Sequence, residues 1–337
     1  MKILSINAGS SSLKFSLFNM DDESVIVSGN FERIGIEGSL YTIKLNSEKI
    51  TQEVELPTHL EAVEILLEKL LTLGIIENLY EIHGVGHRIV QGKDLFNESV
   101  VINDDVMEKL ETIKEFAPLH NPANMLGIEA FRKALPDATH VAVFDTAFHQ
   151  TMSEEAYLYS VPYKWYKEYG VRKYGAHGTS HRYIASQVKK ILGTSEYKLI
   201  SCHIGNGGSI TAIKDGKCVD TSMGFTPLAG IMMGSRSGDI DSSIIPYVME
   251  QEGKNASEVI DDLNRRSGLL GLSEFSSDMR DIVAKCGEND EKCILAKNKY
   301  VRRVVDYIAQ YYVLLGGVDI IVFTAGVGEN NVLIRKE

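Results

Sequence analysis

Cysteine is scarce in this sequence, and its spacing suits neither zinc nor disulfides. No two of the four cysteines form a CxxC pair, and nothing in the sequence indicates secretion; they are Cys202, Cys218, Cys286 and Cys293. Zinc sites and disulfide frameworks depend on such spacing or on an oxidising compartment. We therefore expect neither a zinc site nor a disulfide bond.

Basic charge is also in short supply. Lys and Arg number 35 against 46 Asp and Glu, which gives a net charge of −11 at pH 7. A nucleic-acid-binding protein needs a surplus of cations to neutralise the phosphate backbone. The balance argues against a nucleic-acid partner, but not against a nucleotide, which a few well-placed cations can hold.

Long hydrophobic runs are missing as well. The most apolar stretch, residues 313–327, is interrupted by Gly316, Gly317 and Asp319, so no membrane span is expected. The first residues form a strand-like segment without the pattern of a signal peptide. These features predict a cytoplasmic protein, and 337 residues are enough for two domains with separate cores.

Two common nucleotide motifs are absent too. Neither GxxxxGK(S/T) nor GxGxxG occurs, so neither a P-loop kinase nor a Rossmann dehydrogenase is supported. Instead, the first eighteen residues contain an apolar run, the turn NAGSSS and an alternating run, which predict a β-hairpin. Ser10, Ser12 and Lys14 suit phosphate oxygens, and a glycine-containing turn lets backbone N–H groups crowd around an anion. An ordinary hairpin with a polar turn is the alternative.

A second stretch repeats this hairpin. Residues 199–213 superpose without gaps on residues 3–17, so that Ser5 matches Ser201 and Gly9 matches Gly205. Two such hairpins predict duplicated α/β halves that face each other across a cleft, where a nucleotide triphosphate would bind. This is the architecture of the actin and sugar-kinase class of ATP-binding folds. The predicted domains are 1–148, with the first phosphate hairpin, and 149–337, a nucleotide-binding domain with the second.

Polar and charged residues at the ends of predicted strands are the other candidates for a site. Arg88 lies in a strand between glycines, and Arg236 lies in a Gly/Ser loop. Asp145 ends an apolar strand, where a carboxylate is either a helix cap or a magnesium ligand. His177 precedes a helix and is interpreted as a donor to an anion, because its spacing to His181 lacks the glutamate of a zinc-protease helix.

Helix and strand signals are clear along most of the chain. Thr58 with Glu61 predicts a capping box, Asn103 predicts another cap, and Pro122 predicts a helix start. A long helix is predicted from Asp290, with an apolar face of Val301, Val304, Val305, Ile308, Tyr312 and Leu315. A buried strand is then expected at 319–324, followed by a glycine turn at 326–330.

Taken together, these stretches resemble the acetate kinase family. The resemblance runs through the whole chain and rests on several motifs in one order: Asn7-Ala8-Gly9-Ser10-Ser11-Ser12-Leu13-Lys14, Val143-Phe144-Asp145-Thr146-Ala147-Phe148-His149, Tyr174-Gly175 with His177-Gly178-Thr179-Ser180-His181, His203-Ile204-Gly205-Asn206-Gly207, and Phe323-Thr324-Ala325-Gly326-Val327-Gly328-Glu329-Asn330.

The resemblance implies reversible, Mg²⁺-dependent phosphoryl transfer between ATP and acetate, giving acetyl phosphate and ADP. It implies that Arg88 and Arg236 clamp the carboxylate and the phosphoryl group, and that His177 donates to the phosphoryl oxygens. Asn7 is then the metal-binding residue, and Asp145 a catalytic residue that orients the metal. Replacing either arginine by alanine is expected to lower kcat by ~10²–10³, the usual loss for one preorganised transition-state donor. Folding is expected to survive both changes, because both arginines lie in glycine-rich surroundings.

The resemblance also implies which further residues contact the acid and the nucleotide. The acid would contact Arg88, Val90, Leu119 and Pro227. The nucleotide would contact Ser10, Ser12, Lys14, His203, Gly205, Asn206, Gly207, Asp278, Met279, Arg280, Gly326, Gly328 and Asn330. The family also implies a homodimer and a segment after this region that carries a glutamate for Mg²⁺, so the C-terminal part is expected to be missing. The alternatives are a kinase for propionate or another short acid, and a truncated nucleotide-binding module without activity.

One position departs from the family pattern and generates a prediction. Ala176 stands where the family usually has Phe, which leaves room for an acid longer than acetate. Ala176→Phe is expected to raise the ratio of kcat/KM for acetate over propionate, by the ~1–3 kcal/mol that one methylene is worth. Steady-state kinetics with both acids measure this ratio, and an unchanged ratio would remove Ala176 from the acid site.

Overall fold

The computed structural model of this chain describes residues 1–118 and 120–337. The chain divides into two compact units, unit 1 (Met1–Ala147) and unit 2 (Phe148–Glu337). Leu119, one of the predicted acid-binding residues, lies outside the described residues.

Unit 1 is built on one sheet with helices against it. Its described strands are β1 (Lys2–Gly9), β2 (Ser12–Asn19), β3 (Ser24–Glu32), β4 (Leu40–Leu45), β5 (Glu48–Glu53), β6 (Ile82–Ile89), β7 (Val100–Val101) and β8 (Thr139–Phe144), in the order β5-β4-β3-β2-β1-β6-β8-β7. Its described α-helices are α1 (His59–Thr72), α2 (Asp104–Thr112) and α3 (Asn121–Ala134). The apolar face of the sheet is buried together with the apolar faces of α1 and α3.

Unit 2 has a smaller sheet and more helices. Its described strands are β9 (Lys198–Ile204), β10 (Gly208–Lys214), β11 (Lys217–Thr221) and β12 (Ile320–Thr324), in the order β11-β10-β9-β12. Its described α-helices are α4 (Glu154–Tyr157), α5 (Tyr163–Tyr169), α6 (Gly178–Leu192), α7 (Ile244–Glu252), α8 (Ala256–Arg265), α9 (Gly268–Ser273), α10 (Met279–Gly287), α11 (Glu291–Leu315), α12 (Ala325–Asn330) and α13 (Val332–Lys336).

The predicted helix starts are confirmed. Thr58 accepts a hydrogen bond from the Leu60 N–H, while Glu61 accepts one from the Thr58 N–H, which completes the capping box of α1. Asn103 caps α2 through the Val106 N–H. Such caps satisfy backbone donors that a helix leaves free in its first turn.

Three parallel strands in the middle of the unit 1 sheet bring its candidate residues together. β6 pairs in parallel with β1 on one side and with β8 on the other. The carboxyl ends of parallel neighbours meet at one edge of a sheet, where α/β proteins hold ligands. Asn7, Arg88 and Asp145 lie at the carboxyl ends of β1, β6 and β8 respectively.

The repeated hairpin is present in both units, but not with the gapless alignment predicted. In unit 1, Gly9 pairs with Ser12 across a two-residue turn. In unit 2, Ile204 pairs with Gly208, so three residues form the turn, and the Gly205 N–H donates to the Gly207 carbonyl. The second strand of the repeat is therefore shifted by one residue, because the longer turn takes up an extra position.

Three predictions near the end of the chain are wrong. β12 is only half-buried, because it lies at the edge of the described unit 2 sheet, and residues 325–330 form the helix α12 instead of a turn. The buried stripe of α11 consists of Cys293, Ala296, Tyr300, Val304, Tyr311 and Leu315. Val305 and Tyr312, which had been assigned to that stripe, are exposed.

Membrane insertion finds no support in the helices. Within residues 1–118 and 120–337, none of them combines the length and apolarity that a bilayer crossing requires.

A buried histidine pair joins β6 to β8 directly below the site edge. His140 Nε2 donates to the Leu135 carbonyl at 3.0 Å, so a neutral His140 accepts at Nδ1 from Nε2 of His87, also at 3.0 Å. Burial, and then the charge of His140, lower the pKa of His87 to about 3. Burial likewise lowers the pKa of His140.

This pair predicts that the protein loses stability in mild acid. Each histidine takes up a proton in the unfolded chain below an ordinary pKa of ~6.5, whereas the folded pair resists protonation. The free energy of unfolding contributed by the pair is therefore complete above pH ~6.5 and falls below it, by up to ~1.4 kcal/mol per pH unit for each proton. Urea unfolding between pH 7 and 5 measures the slope. The apolar double variant His87→Leu/His140→Leu should show a shallower slope, and an equal slope would contradict the assignment.

Candidate active site

Arg88 is the centre of the charged cluster in unit 1. Its Nη2 lies 2.6 Å from Asp145 Oδ2, and its Nε lies 3.1 Å from each oxygen of the same carboxylate. Its Nη1 donates to Asn7 Oδ1 at 3.3 Å. The side chain of Asp145 is 3% exposed and that of Arg88 is 38% exposed. The pair therefore has a buried anion and a cation that still reaches solvent.

Two opposing effects act on the Arg88 guanidinium. Burial acts to lower its pKa, but the charge of Asp145 and the hydrogen bonds to it outweigh burial, so the pKa of Arg88 is raised above its ordinary value. A guanidinium held in this fork is fixed in position and always charged. It can therefore bind a carboxylate or phosphoryl oxygen without a large loss of side-chain freedom.

Two buried asparagines at the start of α3 hold the backbone around this cluster. Asn124 Nδ2 donates to the Ala8 carbonyl at 2.6 Å, and Asn124 Oδ1 accepts from the Val90 N–H. Asn121 makes both amide hydrogen bonds with the backbone of Gln91. Sequence reasoning missed both residues, since a polar residue in the first helical turn is usually a cap. The signal was two asparagines beside a proline at a helix start.

The first hairpin carries its predicted residues on one strand pair. Lys14 pairs with Asn7 across β1 and β2, and is exposed. Directly paired residues point to the same side of a sheet, so Lys14 lies on the face of Asn7. Ser10 is exposed in the turn, Ser12 begins β2, and His59 Nε2 donates to the Gly9 carbonyl at 2.7 Å.

The donors around Asn7 fit Mg²⁺ as a partial ligand set. The ligand atoms that Asn7 and Asp145 can offer a metal are oxygens, and among the described residues no three His, Cys, Asp or Glu side chains come together as a metal site. Mg²⁺ usually takes one or two protein oxygens and fills its remaining positions with water and substrate phosphates. The cluster therefore suits a magnesium ion that binds together with a nucleotide.

His177 occupies an unusual backbone conformation in unit 2. Its φ and ψ are 57° and 19°, in the left-handed region, directly before α6. Such angles are uncommon outside glycine, and they cluster at functional sites. The ring stacks on His203 with centroids 4.2 Å apart, and Nδ1 lies 2.9 Å from Ser209 Oγ. The His203 ring is itself held by Ser180 Oγ at 2.8 Å.

Arg236 converges with His177 on the second hairpin loop. A Cβ built on Gly207 would lie 3.6 Å from Arg236 Nη1 and 3.9 Å from the His177 ring. The empty side-chain position at Gly207 thus opens a space bordered by both groups. Arg236 Nη1 also donates to the Pro227 carbonyl at 3.4 Å, which places a predicted acid-binding residue beside it.

The electrostatic state of Arg236 differs from that of Arg88. No carboxylate of the described residues lies within salt-bridge distance of Arg236, and burial lowers its pKa. Removing a cation from water without an anion beside it is unfavourable. The site therefore favours an anionic ligand at Arg236.

A pocket of about 640 Å³ lies beside the same loop in unit 2. Its lining includes seven of the residues predicted to contact the nucleotide: Gly205, Asn206, Asp278, Met279, Arg280, Gly326 and Asn330. Asp278 caps α10 and pairs with Arg280 at 2.6 Å, and the hydrogen bonds to Arg280 lower the pKa of Asp278. The volume is that of an ordinary small-molecule site.

The remaining predicted nucleotide residues of unit 2 lie elsewhere. Gly207 and His203 are at the Arg236 and His177 end of the loop, as described above. Gly328 is buried, and a Cβ built on it would lie in ordinary van der Waals contact, 3.4 Å from the Phe323 backbone and 3.7 Å from the Cys202 carbonyl. Its contact with the nucleotide stays a prediction.

Comparison with known proteins places these features in a family. Residues 2–337 match the sequence profile of the acetokinase family. An acetate kinase of Macrococcus caseolyticus is 54% identical over 336 residues, which make up 99% of this chain and 84% of that protein.

Solved structures agree with this match. The crystal structure of Porphyromonas gingivalis acetate kinase superposes with a TM-score of 0.96 at 44% identity, covering 99% of this chain and 85% of the other. A propionate kinase from Francisella tularensis superposes with a TM-score of 0.95 at 41% identity, covering 99% and 86% respectively. Acetate kinases have the α/β fold of the actin and sugar-kinase class, and the predicted fold class is thereby confirmed.

The two arginines should respond differently to replacement by alanine. Either variant is expected to lower kcat by ~10²–10³, because each removes a preorganised donor. The structure changes the expectation for folding at one of them. Arg88→Ala leaves the buried carboxylate of Asp145 unpaired and should cost ~3–5 kcal/mol of stability, whereas Arg236→Ala strands no charge and should leave the free energy of unfolding nearly unchanged.

Urea unfolding together with steady-state kinetics checks both halves of this prediction. The matched control is Arg88→Ala/Asp145→Asn, which removes the unpaired charge and should recover most of the stability but none of the activity. Equal stability of Arg88→Ala and wild type would show that the ion pair does not support the fold.

Proposed function

Because the chain belongs to the acetokinase family, we propose that it catalyses reversible transfer of the γ-phosphoryl group of ATP to acetate, giving acetyl phosphate and ADP. The observation that carries the proposal is the convergence beside Gly207 of His177 and Arg236, a cation with no carboxylate partner within residues 1–118 and 120–337. A guanidinium without a carboxylate partner and an imidazole donor suit the charge that a transferring phosphoryl group spreads over its oxygens.

Little proton transfer is required of the protein. Acetate is already ionised at pH 7, since a carboxyl group has a pKa near ~4, so one of its oxygens can attack phosphorus without a general base. The new O–P bond forms as the bond between phosphorus and the leaving oxygen of ADP breaks. Catalysis then depends on positioning and on stabilising the phosphoryl charge.

Arg88 is assigned to the acid or to the phosphoryl oxygens, because its fork is fixed by Asp145 and Asn7. Asp145 acts through Arg88, and both of its oxygens already accept from the guanidinium. Asn7, together with Asp145, would hold Mg²⁺ or its water ligands. When bound, that ion would neutralise charge on the nucleotide phosphates.

The nucleotide is assigned to the pocket lined by Gly205, Asp278 and Gly326. The second hairpin loop, 205–207, borders this pocket at one end and Arg236 at the other. A nucleotide lying along the loop would bring its phosphates towards Arg236 and His177. This arrangement supports the predicted roles of His203, Asn206 and Gly207.

The proposal extends to the setting of the enzyme. Cys202, Cys218, Cys286 and Cys293 are free thiols, which are typical of a reducing compartment such as the cytoplasm. We assign the protein there as a homodimer, as the family resemblance implies. Light scattering at a series of protein concentrations tests the assembly.

Propionate is the second candidate substrate. Ala176 is 3% exposed and belongs to the apolar core of unit 2, and a structural neighbour is a propionate kinase. A small residue here would leave more room for a longer acid than Phe would. Discrimination by one methylene is intrinsically modest, so acetate and propionate should both be phosphorylated, with acetate preferred.

A hydroxamate assay tests the proposed reaction. Purified protein with ATP, Mg²⁺ and acetate should produce acetyl phosphate, which hydroxylamine traps as a coloured hydroxamate. His177→Ala should lower the yield by ~10²–10³, the usual loss for one transition-state donor. Asn289→Ala, a change outside the predicted site, serves as the matched control and should leave turnover intact. A wild-type protein that binds ATP but forms no hydroxamate would favour a nucleotide-binding module without activity.

A further inference from the structure

A line of buried hydrogen bonds runs behind His177. Ser209 Oγ lies 2.9 Å from His177 Nδ1 and 2.8 Å from His181 Nε2, and Ser201 Oγ lies 2.8 Å from His181 Nδ1. Ser201, His181 and Ser209 are all completely buried. The four side chains come from the start of α6 and from β9 and β10, so the line crosses three elements.

The number of protons in this line limits which group donates in each of its hydrogen bonds. A serine hydroxyl carries one proton, and a neutral imidazole carries one N–H. Burial, followed by the charges of His149, His177 and His203, lowers the pKa of His181 well below its ordinary value. His181 is therefore neutral, so it donates through one ring nitrogen and accepts through the other.

The hydrogen bonding of Ser201 determines which direction of donation along the line is favourable. Within the described residues, the only hydrogen-bond partner of its hydroxyl is His181 Nδ1. If His181 donated to Ser201, the buried Ser201 proton would have no acceptor, a cost equivalent to about a tenfold to hundredfold bias. In the opposite direction every donor is satisfied. Ser201 donates to His181 Nδ1, His181 Nε2 donates to Ser209, and Ser209 donates to His177 Nδ1.

We infer that Ser201, His181 and Ser209 are positioning residues that fix the proton of neutral His177 on Nε2. The inference rests on the proposed function, in which His177 donates a hydrogen bond to the transferring phosphoryl group. With Nδ1 occupied as an acceptor, a neutral His177 donates from Nε2, the ring position near Gly207 and Arg236. Nε2 thus carries a proton without protonation of the ring.

The surroundings of His181 agree with a role in orientation rather than in charge. His149 meets the His181 ring edge-on at 5.8 Å, and His203 does so at 6.2 Å. His149 Nε2 donates to the Ala176 carbonyl at 2.9 Å, and His149 Nδ1 lies 3.2 Å from Cys218 Sγ. Protonating His181 would set a positive ring among these groups without a carboxylate, so the line works only in the neutral state.

Nuclear magnetic resonance of ring-labelled histidine tests the inference directly. In the full chain at pH 8 without substrates, long-range proton–nitrogen correlations should show His177 protonated on Nε2 and accepting on Nδ1. His177→Gln and His181→Gln assign the signals. Protonation of His177 on Nδ1 in the unmodified protein would overturn the inference, whether or not the protein makes acetyl phosphate.

Variants then test the line residue by residue. Ser209→Ala and Ser201→Ala should move the averaged His177 ring shifts towards those of a tautomer mixture and lower kcat about two- to tenfold, with KM for ATP nearly unchanged. Ser201→Thr keeps a hydroxyl and should restore both readouts. Thr211→Val removes another buried hydroxyl, which bonds to Thr221, and should leave the His177 shifts and kcat as in wild type.

The outcomes separate this inference from the proposed function. Unchanged ring shifts in both alanine variants would overturn the line, even if acetyl phosphate is formed normally. A wild type with the predicted tautomer but no acetyl phosphate would overturn the reaction and leave the line standing. An equal loss of kcat in Thr211→Val would show that the effect is one of core packing, and would also overturn the inference.

Discussion

The structure of unit 1 around the site depends on one ion pair. Asp145 is almost completely buried, and among the described residues Arg88 is the one cation that pairs with its carboxylate. The pair also fixes the orientation of the guanidinium, and Asn7 Oδ1 accepts a hydrogen bond from its Nη1. The parallel order of β1, β6 and β8 is what allows three residues so far apart in the chain to meet.

The candidate arginine of unit 2 has the opposite electrostatic surroundings. Arg236 is half-buried and has no carboxylate partner among the described residues, and its neighbours are a carbonyl, a thioether and the space above Gly207. The charge of Arg88 is thus compensated by a carboxylate of the protein, whereas the charge of Arg236 can be compensated by an anionic ligand. Removing a buried partner is costly, whereas an uncompensated cation gains most from an anion that arrives.

Much of this arrangement could be predicted from the sequence, and the limits have physical causes. Glycine and serine turns, strand-end charges and capping residues act locally, so Arg88, Asp145 and the start of α1 could be identified, whereas Asn7 followed from the family resemblance. Asn121, Asn124, Ser201 and Ser209 could not, because a small polar residue in a helix start or an apolar strand carries no local pattern. Their partners are found only when distant segments pack together. The one-residue shift of the second hairpin has a local cause, since three residues instead of two form its turn, and the similarity of the two sequences does not reveal this difference.

The uncompensated Arg236 links the fold to the chemistry of the surrounding solution. A ligand that binds only the folded chain stabilises it by about 2.7 kcal/mol at a hundred times its dissociation constant. Because native proteins are stable by only ~5–15 kcal/mol, this is a large share. An anion that binds at Arg236 in the folded chain is therefore expected to lower the populations of unfolded and protease-sensitive chain, so that the occupancy of the site also sets how long the protein persists.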